Sequence, residues 1–324
     1  MRAIALLLLI ATCRLATAQE VKVRFDLYKV EPAIGTALEG RLIAGGEGAT
    51  AAMAKLPDFI QQRRIEEIAS VEIETESGTR MRGKSSEAVI ALPFHESTAG
   101  LDIEIDPLIE GGALNMNIQA IYTSSEKDHP MERVITTQAA GLSGVPMLIC
   151  RWQMERDWLL LVGTPEYSNA AESSPLVSGL IYMESAFYPT VSSASSGRDL
   201  LASALFPCRS GQRSGAEMIG WINDENIPES DQPGFRTMID PVLNADGTVT
   251  ARVECSYTVE SGGRTRLESG ERVRRLEIRE MSDTLEMEPN KIAGRKATKA
   301  GNEDIEVEED HYVAAFQYSL PTTP

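Results

Sequence analysis

Three histidines, His95, His129 and His311, are the first residues to test for metal or acid–base chemistry, and they fall in three separate segments with no ligand-spaced pair. A zinc centre needs several nitrogen or sulfur ligands converging on one point, and this spacing supplies none. His95-Glu96-Ser97 reads as loop and His129-Pro130 as turn, so both are expected to be surface residues. Ser124 and Lys127 share the S-x-x-K spacing of acyl-transfer enzymes, but they follow a strand and lack the accompanying motifs. The chain has no G-x-S-x-G, no H-E-x-x-H, no P-loop and no G-x-G-x-x-G. No catalytic residue, metal ligand or cofactor is therefore assigned.

Two carboxylate groupings carry a sharper reading beside a plain one. The run NEDIEVEEDH contains Glu303, Asp304, Glu306, Glu308, Glu309 and Asp310, which invites calcium. Calcium, however, needs six or more oxygens converging from a turning loop. Here Ile305 and Val307 alternate with acids, the pattern of a strand with one solvated face. Asp106 and Asp240 each sit in an Ile-Asp-Pro triplet; Pro107 and Pro241 would remove a ladder donor, so the triplets read as strand ends, edges or bulges before they read as catalytic carboxylates.

The elements that hold these residues come twice. IDPLIEGGALNMNIQAIYT (105–123) and IDPVLNADGTVTARVECSYT (239–258) share their start, a Gly-bearing turn and a Tyr-Thr finish. Upstream, Ser77-Gly78-Thr79-Arg80 precedes Gly100, and Ser210-Gly211-Gln212-Arg213 precedes Gly234. The Gly-to-Gly spacings are 22 and 23, and each second Gly lies 5 residues before its Ile. Anchors in one order at fixed spacing indicate a tandem duplication.

Within each copy the pattern alternates around Gly turns, a hairpin signal. LPDFIQQRRIEEIAS (56–70) suggests a helical face, and in the second copy SSGRDLLASALF (195–206) suggests a shorter helix after the strand LIYMESAFYPT. ERVITTQAAG in the first copy is matched to ERVRRLEIREM in the second. The expectation is an α+β protein of two tandem domains, each a mixed or antiparallel sheet with one main helix: residues 19–164, a linker at 165–178, and residues 179–324. VKVRFDLYKV (21–30) and HYVAAFQYSL (311–320) are either interior strands or sheet margins open to strand addition.

Residues 1–18 read as a signal peptide, with Arg2 before an apolar run and Ala16-Thr17-Ala18 as the cleavage site; lipidation of Cys13 is the alternative. The chain holds 31 basic and 48 acidic residues, and removing Arg2 and Arg14 leaves 29 against 48, a net charge of −19. That field opposes nucleic acid and anionic membrane surfaces, and no stretch is long enough to insert in a bilayer once the leader is gone. The local exception is NKIAGRKATKAG, with Lys291, Arg295, Lys296 and Lys299, read as a solvated loop or a dock for an acidic partner. Three cysteines then remain, Cys150, Cys208 and Cys255. Cys208 and Cys255 replace Thr75 and Ala120 of the first copy, a joint change that suggests a Cys208–Cys255 disulfide, leaving Cys150 free.

The opening VKVRFDLYKVE, the strand around SGTR or SGQR, the G-x4-IDP hairpin, and ERVITTQ followed by a hairpin ending LLLVGT together resemble the sheet portion of bacterial outer-membrane secretins. They also resemble shorter relatives in pilus and secretion gene clusters of Planctomycetes and Verrucomicrobia. The resemblance covers most of the mature chain in two passes. It implies an envelope protein of a Gram-negative bacterium, periplasmic or associated with the outer membrane, linked to a type IV pilus or secretion assembly but not the pore, since the ring domains and lipid-facing band of a secretin have no counterpart here. The expectation is a non-enzymatic scaffold or docking component with a protein partner in the envelope, including another copy of itself. The alternative is an enzyme or small-ligand binder with its site between the two domains.

Overall fold

The computed structural model describes residues 19–92, 95–124, 130–154, 157–168, 180–189, 193–194, 199–221, 232–266, 272–296, 298–299 and 312–321. The predicted signal peptide, Cys13, most of the predicted linker, His129, Lys127, His311 and the acidic run 302–310 lie outside the described residues.

Alternation of apolar and polar residues builds two large sheets. One has eight strands, in the spatial order β17 (Ala293–Lys296), β19 (Val313–Ser319), β11 (Leu180–Tyr188), β12 (Ala202–Arg209), β9 (Met147–Met154), β10 (Asp157–Tyr167), β1 (Glu20–Val30) and β2 (Ile65–Glu76). The other has nine: β18 (Thr298–Lys299), β16 (Arg272–Met287), β15 (Val249–Arg266), β14 (Gly234–Leu243), β13 (Ser214–Gly220), β8 (Met131–Gly141), β7 (Ala113–Thr123), β6 (Gly100–Glu110) and β3 (Met81–Lys84). A separate hairpin joins β4 (Val89–Ala91) to β5 (Glu96–Thr98). Every ladder among the described residues is antiparallel.

The inward faces of the two sheets close one core. Val21, Val23, Phe25 and Leu27 of β1 point into it together with Leu101, Ile103 and Ile105 of β6, Trp152, Phe206, Phe235 and Phe316. All of these are completely or almost completely buried. At roughly 25 cal/mol per Å² of apolar area removed from water, this burial is the dominant drive for the fold. Residues from both sides of the predicted 165–178 boundary share this core and both sheets. The boundary therefore separates two halves of one sandwich rather than two separately closed cores. Pro165, Glu166 and Tyr167 of the predicted linker belong to β10.

The order of strands repeats. In the eight-stranded sheet the second half of the chain contributes β17-β19-β11-β12 and the first half β9-β10-β1-β2; in the nine-stranded sheet the corresponding sets are β16-β15-β14-β13 and β8-β7-β6-β3. The halves meet where β12 pairs with β9 and β13 with β8.

Among the described residues the bounded helices are α1 (Pro32–Ala44), α2 (Gly46–Met53) and α3 (Leu56–Gln61), and all three connect β1 to β2. Pro32 suits a first helical turn, and Ile34, Leu38 and Leu42 recur every four residues to make one apolar stripe. That stripe joins Leu148, Trp158, Leu160 and Val162 on the outer face of the eight-stranded sheet. This cover explains why β9 and β10 read as near-continuous apolar runs: both of their faces are dry. Gly35 permits the close approach, since a Cβ there would fall 2.7 Å from Trp158 Nε1.

The expectation of one main helix per half is thus corrected. The structure is mostly β, and the helix read over 56–70 ends at Gln61; Arg63 takes a left-handed φ of 58°, and Ile65 opens β2. The second predicted helix, over 195–206, is corrected where it is described: Ala202–Phe206 lies in β12, with Ala202–Leu205 paired on both sides, because its small and aromatic residues fill the shared core, while residues 195–198 lie outside the described residues.

Candidate functional site

The repeated motifs meet one another. The Gly78 N–H donates to the Pro107 carbonyl at 2.6 Å, and the Gly211 N–H to the Pro241 carbonyl at the same distance. The Ser77 hydroxyl accepts from the Ile109 N–H at 3.0 Å, and the Ser210 hydroxyl from the Leu243 N–H at 3.0 Å. Each Ser-Gly turn carries the chain from one sheet to the other, with φ of 83° at Gly78 and 78° at Gly211, a region only glycine enters without strain. The Ile-Asp-Pro strand clasps that crossing. Asp106 faces Asn117 and Asp240 faces Arg252 across their ladders, so the triplets serve backbone geometry.

The other chemical candidates are dispersed. Ser124 accepts a hydrogen bond from the Met131 N–H at 3.0 Å. His95 is more than a surface loop residue: its Nε2 lies 3.3 Å from Glu132 Oε2, and its ring meets Trp221 edge-on with centroids 5.2 Å apart. Sequence reasoning missed that contact, because Trp221 is distant in the chain. Among the described residues, no three His, Cys, Asp or Glu side chains gather as a metal site.

Cys150, Cys208 and Cys255 are buried free thiols. Burial pushes the Cys208 and Cys255 thiols up to about 12 and Cys150 well above its ordinary value, so the reactive thiolate is suppressed in all three. The predicted Cys208–Cys255 bond is not present in this structure. Protein lacking Cys13, unfolded without reductant, is expected to titrate three thiols, and folded protein to resist alkylation. A single titratable thiol in the unfolded chain would establish the bond instead.

A cleft of about 440 Å³, lined by both charged and apolar side chains, opens between the helices and the outer face of β1 and β2. Asp26 is its buried centre, accepting from Arg24 Nε at 2.8 Å and from the Ser70 hydroxyl at 2.7 Å. Lys22 reaches Glu72 at 2.8 Å, and burial together with Asp26 and Glu67 pushes the Tyr28 phenol far above its ordinary value. No nucleophile with an adjacent base appears among these groups.

At the junction between the halves, where the alternative reading placed a ligand site, a cavity of about 210 Å³ is lined by Asp106, Asn115, Asn117 and Gln138 from one half and by Arg209 and Gln212 from the other, and elsewhere along the junction a buried ion cluster links the halves. Arg151 of β9 is 4% exposed and donates to Glu39 of α1 at 2.9 Å, to Glu184 of β11, and to the Ser203 hydroxyl of β12 at 2.9 Å. Its guanidinium also stacks on Trp158, 4.9 Å from the ring centroid.

The outer flanks of the sandwich are the remaining feature. One flank ends in β2 and β3, the other in β17 and β16, the latter bridged by the two-residue β18. VKVRFDLYKV and HYVAAFQYSL are not margins: β1 lies between β10 and β2, and β19 between β17 and β11. Among the described residues the sheets end at Ile65–Glu76, Met81–Lys84 and Ala293–Lys296, and at Arg272–Met287 apart from the β18 bridge to Arg279 and Glu280; edge strands of this kind have one row of backbone N–H and C=O groups with no ladder partner.

The fold is thus an antiparallel two-sheet sandwich with a one-sided helical cover and charged open edges. Comparison with known protein families, with characterised proteins and with solved structures finds no match for the chain.

Proposed function

We propose that this chain is a non-enzymatic exported envelope protein, a tandem duplication of one sandwich unit that acts as a scaffold or docking component of a pilus- or secretion-type surface assembly. The observation that carries the reading is the pair of open flanks at opposite ends of the sandwich. Edge strands can extend a partner's sheet, with main-chain hydrogen bonds supplying affinity and alternate side chains specificity. The acidic net charge, the leader-like residues 1–18 and the resemblance to secretin sheets support the same reading. The dispersed polar chemistry favours it over an enzyme.

A photoactivatable residue at Glu74, an exposed position on β2, is expected to give protein adducts in envelope fractions. The same probe at Glu47 on α2 is expected to give few. Recovery of the chain in the cytoplasm, or equal labelling from both positions, would overturn the proposal.

A further inference from the structure

We infer that the partner of the open flanks is a second copy of this chain, joined head to tail by repeating the junction that already links its two halves. This rests on the docking reading above. Inside one molecule, Ala202–Leu205 of β12 pair with Met154–Arg151 of β9, and Gly215–Gly220 of β13 pair with Thr136–Met131 of β8. β12 and β13 flank the Ser-Gly turn at Ser210; β2 and β3 flank the matching turn at Ser77. Yet β2 and β3 end their sheets. The counterparts of β9 and β8 in the second half are β17 and β16, and they lie at the opposite flank. The two faces of the internal junction therefore recur, unpaired with each other, on the outside.

The ladders fix the register such a contact would take. Counting from the two Ser-Gly turns, Glu72 stands where Leu205 does, and Lys84 where Glu217 does. Arg151 faces Leu160 of β10, and Lys296 faces Val313 of β19. Phe25 with Gly163, and Ser185 with Phe316, align those two strands so that Lys296 occupies the position of Arg151. Thr123 faces Glu132 and Thr258 faces Ile278, which puts Glu280 at the position of Val134. Leu205 faces Arg151 and Glu217 faces Val134 within the chain. A neighbouring copy would then set Glu72 opposite Lys296 and Lys84 opposite Glu280.

Both pairs join opposite charges, one in each sheet. Directly opposed charges of opposite sign favour a strand pairing, and like charges oppose it. Charges of the flanks are also engaged within the molecule: Glu72 and Glu74 with Lys22, Arg82 and Lys84 with Asp102, and Arg295 with Asp283, so a neighbouring copy would share or exchange these pairs. Charge on an edge ordinarily blunts it against pairing. Here the charges at the two matched positions are opposite in sign, so they favour this one register. β18 holds Thr298 against Glu280 and Lys299 against Arg279, so the incoming β3 exchanges that two-residue bridge for a longer ladder. Because the contact is heterologous, repeating it closes a ring or grows a filament.

Positions 72 and 296 lie on opposite flanks of one molecule, so a bond between them forms only between molecules. Under oxidation the E72C/K296C double variant is expected to run as a ladder of covalent oligomers on a non-reducing gel, whereas each single variant stops at the dimer or below. Light scattering on the unmodified chain should show mass rising in whole-monomer steps with concentration and falling with salt. E72K should weaken this assembly, and adding K296E should restore it. A monomeric mass at every concentration, with no ladder from the double variant, would overturn self-pairing. If Glu74 still labels an envelope protein in that case, the docking function stands; if it labels none, both fall.

Discussion

Placing proline at Phe25 or at Phe316 is expected to unfold the whole sandwich rather than one half. Each residue is completely buried and paired on both sides, Phe25 with Gly163 and Val71, Phe316 with Ser185 and Ala293. Losing the aromatic ring from a packed core costs about 3–5 kcal/mol. Proline also deletes a ladder donor in a central strand, where it is not tolerated. The combined loss rivals the roughly 5–15 kcal/mol that holds an ordinary domain together. Because the two halves share one core, the loss is felt by both. Denaturant unfolding and limited proteolysis check this: F316P should lose protection over residues 20–167 as well as over the second half. A protease-resistant first half in F316P would show that the halves fold independently.

That cooperativity was only partly legible in the sequence. The anchors of the repeat were visible because they answer to local backbone demands: the left-handed glycines at 78 and 211, and the prolines at 107 and 241 that receive their N–H groups. What local pattern could not show was where each strand would find its neighbours. β12 joins β9 across more than 40 residues of chain, and no alternation within either strand announces that. Two misreadings follow from this. Ala202–Phe206 has a spacing that suits a helix, yet tertiary pairing draws it into a strand. The ERV match between the copies does not follow the ladders, which place Ile278 at the position of Glu132; a triplet within a strand carries no turn or proline to fix its register. α1 was missed because its glycines and alanines dilute the Ile34-Leu38-Leu42 stripe. The buried cluster was not legible at all: Arg151, Glu39, Glu184 and Ser203 derive from four separate segments, and none belongs to a motif.

Replacing Arg151 by alanine is expected to destabilise the protein by about 3–5 kcal/mol, the cost of leaving partly buried carboxylates without their counter-charge. Glu184 keeps 30% of its side chain exposed and recovers some hydration, so the lower end of that range applies. Burial works against the charge on Arg151, but Glu184 and Glu39 outweigh it and hold the guanidinium above its ordinary range. Burial also raises Glu39 above the usual carboxylate value of 4.5, with Arg151 opposing that rise and Glu184 adding to it. Deleting Arg151 removes the opposing influence, so the folded-state value of Glu39 climbs further. The folded variant then binds a proton more tightly than its unfolded chain does, and stability falls as pH increases from the unfolded value toward the folded one. The deficit of R151A should accordingly be smallest below about pH 4.5, the ordinary carboxylate value, and largest at neutral pH. Paired urea titrations of wild type and R151A across that interval read it directly. The companion triple variant E39L/R151M/E184L keeps the volume and removes every charge, and it should regain most of the loss. If the triple variant is as unstable as R151A, the cluster holds the helical layer and the two halves together by its specific geometry rather than by avoiding unpaired charge.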